Sequence, residues 1–108
     1  MARLIFQVTD PRGRTVRLTK LCWLTHISVW HPIVIGHEAK IQETAATPDA
    51  IYVSKRNSNS ELYFKDYADL PAGNQYVMVV VDGRRGYVQT AFMVQNASKA
   101  GTLLWKKN

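Results

Sequence analysis

Three things are scarce in this 108-residue chain, and each scarcity removes a class of function. There is one cysteine, Cys22, which excludes an internal disulfide and any zinc site built from thiolates. Flanked by Leu21 and Trp23, it reads as a small buried hydrophobe rather than a nucleophile, and a reducing compartment fits. Long apolar runs are missing: the longest, Val77-Met78-Val79-Val80-Val81, is the size of a strand, far short of the roughly 20 residues of a membrane span. The N-terminus, Met1 to Val8, is too short in apolar residues to serve as a signal peptide. The expectation is a soluble, cytoplasmic protein of one domain, 1–108, with no membrane partner. Carboxylates are also few, eight in all, and scattered, with no D-x-D or H-E-x-x-H spacing. His26, His31 and His37 stand five and six apart, which does not put them on one helical face. No glycine-rich phosphate loop and no G-x-S-x-G elbow occur. The expectation is therefore no cofactor and no metal.

What is present is positive charge. Fourteen Lys and Arg against eight Asp and Glu give +6, enough to attract polyanions through the long-range field.

The pattern along the chain predicts an α+β fold. Residues 3–8 alternate, the turn Asp10-Pro11-Arg12-Gly13 follows, and residues 14–18 return, which predicts a small N-terminal hairpin. Thr19 is placed to cap a helix from about Lys20 to Trp30, ended by Pro32. A second helix is expected from about Gly36 or His37 to Ala46, stopped by Thr47-Pro48-Asp49. Strands are expected at 51–55, 62–65, 76–81 and 87–94, the last two central because they have no polar face to give to water. In the tail, Leu103-Leu104-Trp105 should dock and the final lysines fray. The expected architecture is two N-terminal helices packed on a four-stranded antiparallel sheet.

Acid–base chemistry without a metal has one natural carrier. Trp23, Ile27 and Trp30 form a helical stripe, and His26 lies at its edge, either as a proton-transfer group or as a core histidine bonded to backbone. On the strand 51–55 and its continuation, the period of two puts Tyr52, Ser54 and Arg56 on one face. A hydroxyl and a guanidinium there either position a phosphate or simply face solvent. Tyr63 and Lys65 share a face of the next strand, and Thr90 is a polar residue in an apolar run.

From Arg17 onward the chain resembles the phage-associated branch of the barnase–EndoU–colicin–RelE (BECR) nuclease fold. The resemblance is carried by Trp23-x-x-His26-Ile27, His31-Pro32, Ile41-x-Glu43-Thr44, Pro48-Asp49-x-Ile51-x-x-Ser54 and Tyr63-Phe64. It continues through the apolar strand 76–81, Thr90-Ala91-Phe92 and Lys99-x-Gly101-x-x-Leu104-Trp105. The resemblance implies a toxin-like, metal-independent endoribonuclease in which the 2′-hydroxyl of RNA attacks the adjacent phosphate. It implies His26 as acid or base with His31 second. Ser54 and Arg56 would hold the phosphate, Thr90 would orient it or the base, and Tyr63 would stack or donate. The glutamate base used by some members of the wider fold has no counterpart here. The alternative is a non-catalytic module of the same fold that binds RNA or a protein partner such as an inhibitor or antitoxin.

Overall fold

The computed structural model describes residues 3–108. The single-domain expectation for 1–108 and the reading of the N-terminus both include Met1 and Ala2, which lie outside the described residues. Strands β1 (Leu4–Thr9) and β2 (Thr15–Thr19) form an antiparallel hairpin, Val8 facing Val16 and Thr9 facing Thr15. Asp10 holds the turn together, its Oδ1 accepting the backbone N–H groups of Arg12 at 2.8 Å and Arg14 at 3.0 Å. Phe6, Val16 and Leu18 alternate inward to the core.

Helix α1 (residues 20–30) follows at once, with Thr19 Oγ1 capping it by accepting from the Cys22 N–H at 3.1 Å. It opens as an α-turn over Lys20–Cys22, widens to a π-turn over Trp23–Ile27, and closes as an α-turn over Ser28–Trp30. The Ser28 N–H reaches back to the Trp23 carbonyl, one residue further than an α-helix allows. That shift moves later side chains off the stripe a 3.6-residue period predicts. Ile27 is buried and Trp23 half-buried, but Trp30 is 68% exposed. A 3₁₀ turn (Pro32–Val34) leads to helix α2 (Glu38–Ala46), which buries Ile41, Thr44 and Ala45.

Strands β3 (Ala50–Ser54), β4 (Ser60–Asp66), β5 (Tyr76–Asp82) and β6 (Val88–Val94) run as an antiparallel meander. Strand β7 (Ala100–Lys106) then pairs antiparallel with β3, so the order is β6-β5-β4-β3-β7. The expected architecture is corrected here: the sheet has five strands rather than four, beside a separate two-stranded sheet and two short helices. Nor does the C-terminal tail merely dock. It forms an edge strand, and beyond it Lys107 bonds to Asp49 through both its backbone N–H and its ammonium, each at 2.9 Å. The period of two runs weakly through Ala100–Lys106, because both edge-strand faces are only half-covered.

The second correction concerns β6, which was expected to be central and is an edge strand. One edge of it pairs with β5, and the other is covered rather than paired. Cys22 Sγ lies 3.3 Å from the Val88 carbonyl, and the Arg17 N–H of β2 donates to the Gly86 carbonyl just before β6 at 2.9 Å.

Only residues 95–99 join the two opposite edges, β6 and β7. In a flat sheet those edges would stand ~19 Å apart, four strand spacings. The linker turns tightly instead of stretching: Ser98 N–H donates to Asn96 Oδ1 and Ala100 N–H to the Ala97 carbonyl, both at 3.0 Å. The sheet therefore curls, and the linker crosses its concave face. Leu62, Phe64 and Met78 are buried on that face, with Tyr52, Tyr76, Val80 and Phe92 packed around them. Ile51, Tyr63, Val77, Val79 and Ala91 point the other way, into the main core under α1, α2 and the hairpin. A polar network pins the hairpin to β4. Tyr63 Oη donates to Asp10 Oδ2 at 2.6 Å, and Arg12 Nη2 donates to Glu61 Oε1 at 2.6 Å and Tyr63 Oη at 2.9 Å. Arg14 Nη1 completes it on Glu61 at 3.0 Å. Among the described residues no helix is long and apolar enough to cross a membrane.

Candidate phosphate-binding end of the sheet

One end of the curled sheet gathers Ser54 of β3, Ser60 of β4, Asp82 of β5 and Ala100 of β7. The linker delivers Lys99 to the same place, where its carbonyl accepts the Lys55 N–H at 3.1 Å. Lys55, Arg56, Arg84, Arg85 and Lys99 are all exposed there. Among the described residues none of the five is ion-paired. The nearby carboxylates are already committed. Glu61 is held by Arg12 and Arg14, and Asp82 accepts the backbone N–H groups of Arg84 and Arg85 at 2.8 and 3.3 Å. Those donors, with the Arg84 and Arg85 charges, hold the Asp82 carboxyl below its usual value. Asn57, Asn59, Asp82, Arg84, Arg85 and Gln89 line a polar cleft of about 360 Å³.

Four residues further along β6, roughly 13 Å from this end, two histidines meet where α1 runs out. Pro32 forces His31 out of the helix (φ −133°, ψ 63°), which swings its ring onto β6. There it stacks on Phe92, 4.6 Å between centroids and 18° from parallel. His26 stands 6.5 Å away, edge-on to His31, and Lys99 Nζ lies 4.9 Å from the centre of the Phe92 ring. Burial depresses the His31 pKa, and repulsion from His26 and Lys99 depresses it further. A neutral imidazole, able to accept a proton, is the result near pH 7.

Thr90 lies two residues before Phe92 on β6 and so projects from the same face. Its hydroxyl is buried without a hydrogen-bond partner. An orphan hydroxyl there is uncommon and costs stability unless something uses it.

The other expected site residues go elsewhere. Ser54 Oγ accepts from the Arg56 N–H at 3.2 Å, a local turn bond, and the Arg56 side chain points to solvent at the cationic end. Tyr63 is 1% exposed, with its hydroxyl locked between Asp10 and Arg12, so it meets no ligand. Burial, followed by the Asp10 bond, drives its pKa well above the ordinary tyrosine value. The structure thus brings His26 and His31 together beside Phe92, leaves Thr90 two residues before Phe92 on β6, and assigns Tyr63 to the scaffold. Phe92 and Lys99 were not anticipated as site residues. Phe92 shares strand parity with Thr90, a signal that was present. The position of Lys99 depends on where β7 pairs, for which there was none.

Among the described residues no three His, Cys, Asp or Glu side chains converge as metal ligands would. No family model, curated protein or solved structure matches this chain.

Proposed function

We propose that the protein binds RNA at the cationic end of its sheet and cleaves it, without a metal, between His26 and His31. The observation that carries the reading is the histidine pair itself: two imidazoles 6.5 Å apart, one of them stacked on the same Phe92 ring that Lys99 covers. His31, kept neutral by burial, takes the proton from the 2′-hydroxyl. The freed oxygen attacks the adjacent phosphorus, and the bond to the 5′-oxygen breaks. His26, exposed to solvent, donates a proton to that leaving oxygen, and a 2′,3′-cyclic phosphate remains. Lys99 and the Thr90 hydroxyl face the charge that builds on the phosphorane. Arg84, Arg85, Lys55 and Arg56 hold the flanking phosphates.

Cleavage of a mixed-sequence RNA in EDTA tests this. His26→Ala and His31→Ala, each shown by circular dichroism to be folded, should each cut ~10²–10⁴-fold more slowly. Full activity in either folded variant removes that residue from the mechanism. A second reading, RNA binding without cleavage, draws on the engagement of Ser54 with Arg56 and of Tyr63 with Asp10. It predicts wild-type protein that binds RNA and leaves it intact.

A further inference from the structure

The concave face of the sheet has a second end, opposite the cationic one and built differently. Strand register sets Lys106 of β7, Ala50 of β3 and Phe64 of β4 in one row, and places Asp66 of β4 across from Tyr76 of β5. Ala50 contributes only a methyl group to its row, which leaves room between larger neighbours. Phe64, with the half-buried rings of Tyr52 and Tyr76, lines a cavity of about 250 Å³ there. Both tyrosine rings stand nearly perpendicular to Phe64: Tyr52 at 81° and 5.8 Å between centroids, Tyr76 at 87° and 6.1 Å. Three rings crossed in this way offer π faces as well as edges, and a π face attracts a cation.

The charges that line the cavity are not equally free. Asp49 is engaged, its Oδ1 by the Lys107 ammonium at 2.9 Å and its Oδ2 by the Asp66 N–H at 2.8 Å. Burial works against the Asp49 charge, but those two donors outweigh it and hold the carboxyl below its usual value. Asp66 is exposed, and among the described residues its carboxylate takes only the Gln75 side-chain amide, at 3.2 Å. Lys106 is exposed as well, and among the described residues it has no ion pair. One negative and one positive charge thus stand uncompensated beside three aromatic rings.

We infer that this cavity binds a small zwitterion, a methylated ammonium joined to a carboxylate. The ammonium lies among Tyr52, Phe64 and Tyr76 with Asp66 beside it, and the carboxylate meets Lys106. Methylation follows from the lining. A bare ammonium brings three N–H donors, and Asp66 is the one carboxylate free to accept them. Methyl groups remove those donors and pack against the rings, while the nitrogen keeps its charge.

Titration of the full chain with glycine betaine, followed by heteronuclear NMR, tests the inference. Resonances of Tyr52, Phe64 and Tyr76 should move, with a Kd of about 1–10 millimolar. The tert-butyl analogue of betaine, with carbon in place of nitrogen, has the same shape without the positive charge and should bind roughly tenfold more weakly. Asp66→Asn and Lys106→Gln alter exposed side chains, and each variant, with an unchanged circular dichroism spectrum, should weaken betaine binding by about 3–10-fold. The inference is overturned if those resonances stay fixed up to ~100 millimolar betaine. It is overturned equally by an uncharged analogue that binds as tightly, or by an affinity unchanged in either folded variant. No RNA enters these measurements, so the result is independent of the proposed activity.

Discussion

The His31 ring lies flat on the Phe92 ring, 4.6 Å between centroids, and this contact shields the imidazole from water. Desolvation is the largest cause of the depressed His31 pKa. Phe92→Ala uncovers the ring, so the pKa should rise toward the ordinary value of about 6.5. If His31 is the base, the acidic limb of the cleavage profile moves up in pH by the same shift. An NMR titration of the His31 ring and a pH–rate profile read the two quantities independently. A ring that titrates unchanged removes Phe92 as the cause.

The Thr90 hydroxyl separates a structural role from a functional one. Because it has no partner, Thr90→Val should leave stability unchanged or raise it by up to ~1 kcal/mol. RNA cleavage should fall nonetheless. Urea unfolding and a cleavage assay on the same sample check both halves. A loss of stability would mean that the hydroxyl has a partner in solution.

The Asp10 carboxylate should set the acid limit of the fold. Burial works against its charge, but bonds from Tyr63, Arg14 and Arg12 outweigh burial and hold its pKa below the ordinary value. A group depressed in the folded state stabilises above its unfolded pKa and loses that stabilisation as pH falls through the folded one. Stability should therefore be flat above about pH 4 and decline below it. Tyr63→Phe removes one donor and should cost ~1–3 kcal/mol at neutral pH, measured by urea unfolding.

Gly86 joins the hairpin to the sheet. It has φ +77°, and a Cβ there would collide with the Thr15 carbonyl. Gly86→Ala should cost at least ~2 kcal/mol, because the left-handed backbone and the close approach both resist a side chain. The unfolding midpoint in urea measures it.

RNA affinity should fall linearly with salt on a double-logarithmic plot. Arg84→Ala and Arg85→Ala should each lower the slope by about one while leaving sequence preference alone. An unchanged slope would place the RNA elsewhere on the surface.

Local chemistry was legible in the chain, and long-range pairing was not. Thr19 as a cap, Pro32 as a stop and the Asp10 turn act within four residues, and each reads directly from sequence. The parity of β3 also read correctly, with Ile51 and Tyr52 on opposite faces. What failed depends on partners remote in sequence. The apolar run of β6 signalled burial on both sides, but α1 and β2 supply that cover in place of a further strand. The π-turn broke the helical period beyond Ile27, so the stripe ending at Trp30 was misread. For the candidate site, His26 was visible at the edge of an apolar stripe, His31 at the helix end beside Pro32, and Thr90 as a polar residue in an apolar run. Tyr63 was not recognisable as a scaffold residue, because its partner Asp10 lies 53 positions away.

The crossing linker has a consequence for the order of folding. The meander from β3 to β6 pairs neighbours in sequence, whereas β7 must find β3 across some fifty residues, from Ile51 to Trp105. Loop-closure entropy makes such a pairing the late event. Lys99 reaches Phe92 only once β7 has docked. A chain still emerging from the ribosome therefore carries both histidines but lacks the lysine that joins them at Phe92, and the candidate site is finished only when Trp105 and Lys106 are free to pair.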